Sequence, residues 1–445
     1  MMQRNGEELN SHNNVCSQSS ENSELIVINI LEYTLILGVI LSTNSVFWNA
    51  IGMTYNYVIR SMVILSVGLL SVWLCVNYRH YRVNLSKQLM LVVVYLLMLV
   101  PILANSWIAG ELAKSDWIRL LVFAPLSIPY LDWIVRNNGL IRLARKYILL
   151  ITGLSALSIL FWGATQLGIL NSNMSLAISW GGQQVIPGLW GVQFFPQGEV
   201  GFLGIQLIRN CGIFCEAPMY SFVITVALMI IIFFHKIIHI ERWKIVILAI
   251  TLLSTAATTG VIVIILSLAL KLLLDSRMSL KLLIGIIGLP IVFVVLESIL
   301  TSKVNSMGGS VDIRQEDIIA GYHAWMQRPL LGHGLSDADA YLPFISFYRT
   351  VLNGNDGFSS GLMQVLSKTG IYGGVLFVAF PVLLSRVISK QVFGFAVLLF
   401  VDFTMTVVDN TYLLLIIVLL FYVGLVKQVS QKYFRPSEWV PENIN

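Results

Sequence analysis

Between residues 25 and 426 the chain returns repeatedly to runs of about twenty apolar residues, the length a helix needs to cross the hydrocarbon core of a bilayer. The runs fall at 25–43, 57–77, 88–105, 117–134, 147–168, 217–235, 244–258, 260–275, 282–300, 362–384, 391–408 and 411–426. Inside lipid a backbone N–H or C=O finds no water, so such a chain must satisfy its own hydrogen bonds as helices or as a closed barrel. Runs this long select helices. The expected class is all-α: a polytopic membrane protein of about twelve transmembrane helices, within a range of about 11 to 13. The pair 244–258 and 260–275 has almost no loop between its members, and reads either as a hairpin near Thr258-Thr259-Gly260 or as a broken element. Composition agrees, with 57% apolar and 11% charged residues, where soluble domains carry about 25% charged.

Lys and Arg set the orientation. One face collects YRHYR (78–82), Arg136, Arg142, Arg145, Lys146, Lys236, Arg242, Lys244, Arg277, Lys281, Arg386, Lys390, Lys427, Lys432 and Arg435. That face is expected to be cytoplasmic, and an even number of spans puts both termini there. The net charge of +5 follows from this asymmetry and points to topology rather than to nucleic acid. Residues 1–24 are polar, lack the apolar core of a cleavable signal peptide, and are expected to form a disordered cytoplasmic tail. A single transmembrane domain over 25–426 and a cytoplasmic tail over 427–445 follow. Cys16, Cys75, Cys211 and Cys215 form neither a disulfide framework nor a zinc pattern; Cys211 and Cys215 read as packing residues. Glu32, Lys271, Asp402 and Asp409 fall within spans, where an ionisable side chain faces a groove or pairs internally.

Two long loops lie on the outer face, at about 169–211 and 301–361, and are expected to carry short helices. The first is rich in Gly, Gln, Trp and Phe. Its Trp180, Trp190, Phe194 and Phe195 read either as sugar-stacking rings or as interfacial-belt aromatics. In the second, 310–335 reads as a helix outside the bilayer. Asp312 is its expected N-cap with Gln315 as capping-box partner, Ile318, Tyr322 and Trp325 form its apolar stripe, and Pro329, Gly332 and Gly334 form its stop and turn. Arg314 then sits in a first helical turn, where the helix dipole disfavours a cation unless an anion is to be bound. Arg209 stands where loop becomes helix, with Glu216 read as two helical turns further on and Pro218 in the first turn. Two arginines near helix starts on one outer face suit a diphosphate, which a planar guanidinium grips with paired hydrogen bonds.

Four stretches occur in an order that resembles the O-antigen polymerase and ligase superfamily of lipid-linked sugar transferases. They are RNCGIFCEAPMYSF (209–222), STAATTG (254–260), RQEDIIAGYHAWMQRPLLGHG (314–334) and SGLMQVLSKTGIYGGVLF (360–377). The resemblance spans roughly residues 200–385. It implies a GT-C-like fold in a bacterial inner membrane and an active site on the outer face. The implied reaction is polymerisation of polyprenyl-diphosphate-linked oligosaccharide repeats into O-antigen or capsule. It further implies a chain-length regulator and a flippase as partner proteins, and it matches Arg209 and Arg314 to the family's diphosphate-holding arginines. Where ligases carry a His-Asn pair, this chain reads Ser359-Ser360 with Asn355 and Asp356 upstream, which favours a polymerase. The glycosyl-transfer base is expected among Glu216, Asp356 and His333, with Asp337 and Asp339 as rivals, and Lys303, Arg328 and Lys368 are expected as cationic helpers. No cofactor is expected. The Asp-x-Asp of SDADAY (336–341) is a three-residue pattern, and a metal is not expected there. A ligase and a flippase for lipid-linked sugar remain the competing readings.

Overall fold

The computed structural model describes residues 26–78, 84–110, 114–202, 205–275, 312–335, 340–352 and 354–433. The span expected at 282–300, the tail over 1–24, Lys303, Asp337, Asp339 and residues 434–445 lie outside the described residues, whereas 427–433, expected to begin the C-terminal tail, continue the last helix.

The chain is mostly helical. Among the described residues, seven helices are long and apolar enough to cross a membrane: α2 (Tyr55–Val76), α3 (Leu85–Ile108), α4 (Lys114–Arg136), α5 (Leu140–Gln166), α6 (Ala217–Phe234), α8 (Thr258–Asp275) and α10 (Gly361–Ile388). Shorter or more polar-ended apolar helices pack among them: α1 (Ile26–Leu41), α7 (Arg242–Ser254), α11 (Lys390–Thr404) and α12 (Tyr412–Tyr433). Helix α6 has no polar face, reading MYSFVITVALMIIIFF from Met219. A helix apolar on every side belongs at the centre of a bundle, and nearly every residue of α6 is buried. Gly260 seats α8 against it; a Cβ there would lie 2.1 Å from the hydroxyl of Ser221. By contrast α2 and α3 leave Leu65, Leu69, Val72, Leu89 and Leu97 exposed, the surface expected of helices facing lipid.

Three local departures from regular helix shape the end of the bundle that carries the long loops. The first is a break between α7 and α8 at Thr255-Ala256-Ala257, where Ala256 takes φ +50°. The second is a kink in α10 at Gly370 (φ +62°). That kink frees backbone groups that the PLLGHG turn (329–334) satisfies. His333 and Gly334 donate their amides to the carbonyls of Ser367 and Lys368, and Ile371 and Tyr372 donate to Pro329 and Leu330. The approach demands glycine on both sides. A Cβ at Gly332 would sit 2.4 Å from the Lys368 carbonyl carbon, and one at Gly370 would sit 2.3 Å from that of Leu330.

The third departure corrects the all-α expectation. The first outer loop forms strands instead of short helices: β1 (Met174–Ser179), β2 (Gln183–Leu189) and β3 (Gln193–Phe194) in one antiparallel sheet, β4 (Glu199–Phe202) and β5 (Ile205–Ile208) in a hairpin. In β1 and β2 burial alternates, at Leu176 and Ile178 and at Ile186 and Gly188, the two-residue period of a half-buried strand, until Leu189 ends β2 buried as well. Gly181 and Gly182, both at positive φ, close the β1–β2 turn, where such angles match strand twist.

The helix at 312–327, α9, also differs from its sequence reading. Asp312 is already helical. The packed face is Asp317, Ala320, Gly321 and Ala324, while Tyr322 is exposed. Close approach decides this, because a Cβ on Gly321 would lie 2.6 Å from Met363. Gly321 therefore faces α10, Ala320 and Ala324 pack with Tyr341 and Ile345, and Tyr322 is turned outward.

Candidate functional site

Arg209 follows β5 directly, and its Nε donates to the carbonyl of Thr255 at 3.0 Å, at the C-terminal end of α7. Its neighbour Asn210 binds the same helix end, through its amide to Ser254 O at 3.0 Å and its Nδ2 to Ser254 Oγ at 2.9 Å. Unpaired carbonyls at a helix C-terminus attract a cation. Arg314, in the first turn of α9, donates from Nη1 to Oγ1 of Thr259 at 3.0 Å, in the first turn of α8. The two arginines thus bracket the α7–α8 break. The Ser/Thr-rich run at that break holds both.

Glu216 is the N-cap position of α6, in extended backbone with no capping bond from its side chain. The 209–216 segment is a loop, not two helical turns. Gly212 at φ +54° tucks under the ring of Tyr220, and Phe214 bridges to Ser45. That path brings Glu216 back into the field of both arginines. Burial pushes its carboxyl above the ordinary range; Arg209, Arg314 and a hydrogen bond from Trp180 oppose this only in part. Burial depresses both arginines. Glu216 opposes this at each, while Arg314 adds its repulsion at Arg209 and Asp317 and Asp402 support Arg314. All three side chains are half-buried. Among the described residues, neither guanidinium has a carboxylate within the 4.0 Å of an ion pair. Each is held by a neutral oxygen, in mutual electrostatic range, with its charge uncompensated by direct contact.

A second network fixes α9. Arg349, buried, pairs with Asp317 at 2.6 Å and Glu316 at 3.3 Å and donates to the Gly357 carbonyl. Ser359 Oγ donates to the other Asp317 oxygen at 2.6 Å. Ser359 thereby anchors the helix that carries Arg314.

The other expected residues have other partners. His333 places a ring nitrogen 2.9 Å from the Ala324 carbonyl, joining the end of α9 to its turn. Asp356 is exposed, and its backbone carbonyl accepts from Tyr341 at 3.3 Å. Arg328 is exposed. Lys368 is buried and pairs with Asp409 at 3.2 Å, so its charge is already matched and it is not a free helper. Asp402 is buried and bears on Arg314. Cys211 and Cys215 are buried, as packing residues would be. Burial pushes the Cys211 thiol up to about 12 and raises that of Cys215 too, so both stay as thiols. The aromatic rings divide. Phe194 lies in the core of the sheet with Leu176, Ile178 and Ile186, Trp190 is exposed, and Trp180 stands close enough to Glu216 to favour its charged form.

Sequence reasoning missed Asp317, Arg349, Thr255, Thr259 and the role of Trp180. Asp317 follows Arg314 by three positions, which on a helix places the pair near one another, and that signal was available. Arg349 has no local signature. No family model matches this sequence, and no curated protein matches it at a significant level.

Proposed function

We propose that this protein is a glycosyltransferase of the O-antigen or capsule polymerase type. It joins polyprenyl-diphosphate-linked oligosaccharide repeats on the outer face of the bacterial cytoplasmic membrane. The observation that carries the reading is the convergence of Arg209 and Arg314, uncompensated and half-buried, on Glu216 at the α7–α8 break. The fuller architecture belongs to the same proposal: about twelve spans, a GT-C-like bundle, both termini cytoplasmic, and a chain-length regulator and a flippase as partners.

In this reading the two guanidiniums bind the diphosphate of the donor. A hydroxyl of the acceptor repeat attacks the anomeric carbon of the donor sugar. The bond from that carbon to the diphosphate oxygen breaks, and its electron pair leaves with the lipid diphosphate. Glu216 takes the hydroxyl proton. Preorganised cations placed where charge develops supply the larger part of such catalysis. A carboxyl whose burial raises its pKa is a stronger base. Trp180 orients it.

The test is deletion of the gene followed by electrophoresis of the surface polysaccharide. Loss of a polymerase leaves single-repeat species at the surface, and complementation restores the ladder. Polymer retained on the carrier lipid identifies a ligase instead, and the absence of both polymer and single repeats identifies a flippase.

A further inference from the structure

A cavity of about 560 Å³ opens at the end of the bundle away from the arginine site. The distance follows from α6, which starts beside Glu216 and reaches the cavity with Val226, Ile230 and Phe234. Its 18 residues span about 27 Å at 1.5 Å per residue. Helices α1, α4, α5, α6, α11 and α12 supply walls that are almost wholly aliphatic and aromatic. The few polar groups in them are mostly occupied. Tyr130 donates to Glu32 at 2.5 Å and Tyr147 to the Val223 carbonyl at 2.9 Å. Water needs two to four polar partners to settle in a cavity, and these walls do not offer them. Left empty, a void of this size forfeits packing along its whole lining. Hydrocarbon is the filling that fits.

The polar groups gather at one end. Asn138, Lys427 and Gln428 lie there, and Lys427 donates to the carbonyl of Val135 at 2.9 Å. Among the described residues no carboxylate lies within the 4.0 Å of an ion pair to Lys427. Next to it, through Tyr130, stands Glu32, fully buried, paired with both Arg142 and Lys146 at 2.5 Å. Two cations on one acid leave one positive charge in excess, and Arg142 is the more exposed of the two, at 39% of its side-chain area.

We propose that this cavity is a structural lipid site. It takes a hydrocarbon chain of an anionic phospholipid from the leaflet at that end, with the phosphate meeting Lys427 and Arg142. The apolar walls accept the chain and the charge excess selects the headgroup. This site is independent of the polymerase reading and stands or falls separately from it.

The full-length protein, purified in mild detergent, is analysed by intact-mass spectrometry, and its thermal unfolding is followed with added phosphatidylglycerol or phosphatidylcholine. The expected results are a co-purifying anionic phospholipid and an upward shift of Tm with phosphatidylglycerol that phosphatidylcholine does not match. Lys427→Glu reverses one charge at the mouth and weakens phosphatidylglycerol binding roughly ten-fold or more. Ala144→Trp fills the cavity and removes the bound lipid. Lys427→Glu alone decides the matter if the tryptophan variant does not fold. Equal shifts with the two lipids, no bound lipid, or a bound polyprenyl phosphate in its place each overturn the proposal.

Discussion

Two clusters in this protein each set two cations against one glutamate, at opposite ends of the same bundle. Around Glu32 every group is in contact. Arg142 and Lys146 reach the carboxylate at 2.5 Å, and Tyr130 adds its hydroxyl at 2.5 Å. Around Glu216 none of the cations touches the acid. Arg209 is held by a helix-end carbonyl and Arg314 by a threonine hydroxyl. The first arrangement satisfies the acid within the protein and leaves one positive charge over, on the more exposed Arg142. The second keeps two half-buried guanidiniums fixed with no carboxylate in ion-pair contact among the described residues, and in the proposed function an arriving diphosphate meets that demand. The count is the same at both ends, two cations to one glutamate. Contact geometry separates a strut from a site.

The largest effect that tests this contrast is expected at the strut. Glu32→Gln leaves Lys146 buried beside Arg142 without a counter-charge, and such broken pairs cost about 3–5 kcal/mol. The exposure of Arg142 argues for the lower part of that range. Thermal or denaturant unfolding in detergent reads it, and an unchanged midpoint would show that the cluster is not structural. At the site the pattern inverts. Arg209→Ala or Arg314→Ala is expected to lower polymer formation about 10²–10³-fold while the protein inserts and unfolds as wild type does. Normal chain synthesis by either variant refutes the clamp. Equal losses of stability and activity would make these arginines struts as well.

Glu216 sharpens the comparison through pH. Its carboxyl titrates above its usual value of 4.5. As pH falls through the raised value the base is lost, so the wild-type rate drops on the acid side, and Glu216→Gln removes that limb along with about 10² in rate. Stability runs the other way. The folded state holds this proton more tightly than the unfolded chain, so the contribution of Glu216 is greatest at low pH and declines as pH rises through the raised value. An acid limb that persists in Glu216→Gln assigns the base elsewhere. The smallest effect is expected from Thr259→Ala, which removes one hydrogen bond to Arg314. Such a bond to a charged group is worth about 1.5–3 kcal/mol when fully formed, and less here because Arg314 is only half-buried. A loss of about ten-fold in turnover with unchanged Tm is expected, measured in the same polymerisation assay.

Much of the architecture was legible in one dimension. The apolar runs announce helices because lipid leaves the backbone no other economical partner, and helices stand where those runs lie throughout the described residues. The uncharged, predominantly apolar sequence of α6 announces the centre. Arg209, Glu216 and Arg314 are conspicuous because charge is scarce in a chain like this one. The strands of the first outer loop were legible too, in the alternation of β1 and β2, but a loop defined only by the absence of apolar runs hides that shorter period. The face of α9 was misread for a different reason. Hydrophobicity favoured Ile318, Tyr322 and Trp325, whereas packing against Met363 and Phe358 required the smallness of Ala320, Gly321 and Ala324.

Sequence by itself determined the solvent this protein is built for, the helical runs, and which few charged residues had to be accounted for. Only the tertiary structure decided which charges meet. Arg209 and Arg314 are more than a hundred positions apart and come together because a β hairpin delivers one and the α10 kink, paired with the PLLGHG turn, holds the helix that carries the other. Lys368, also a cation, is consumed by Asp409. Pairing depends on distances of a few ångströms across separate helices, and the chain encodes those distances only through the glycine-sized gaps and helix breaks that let its backbones approach.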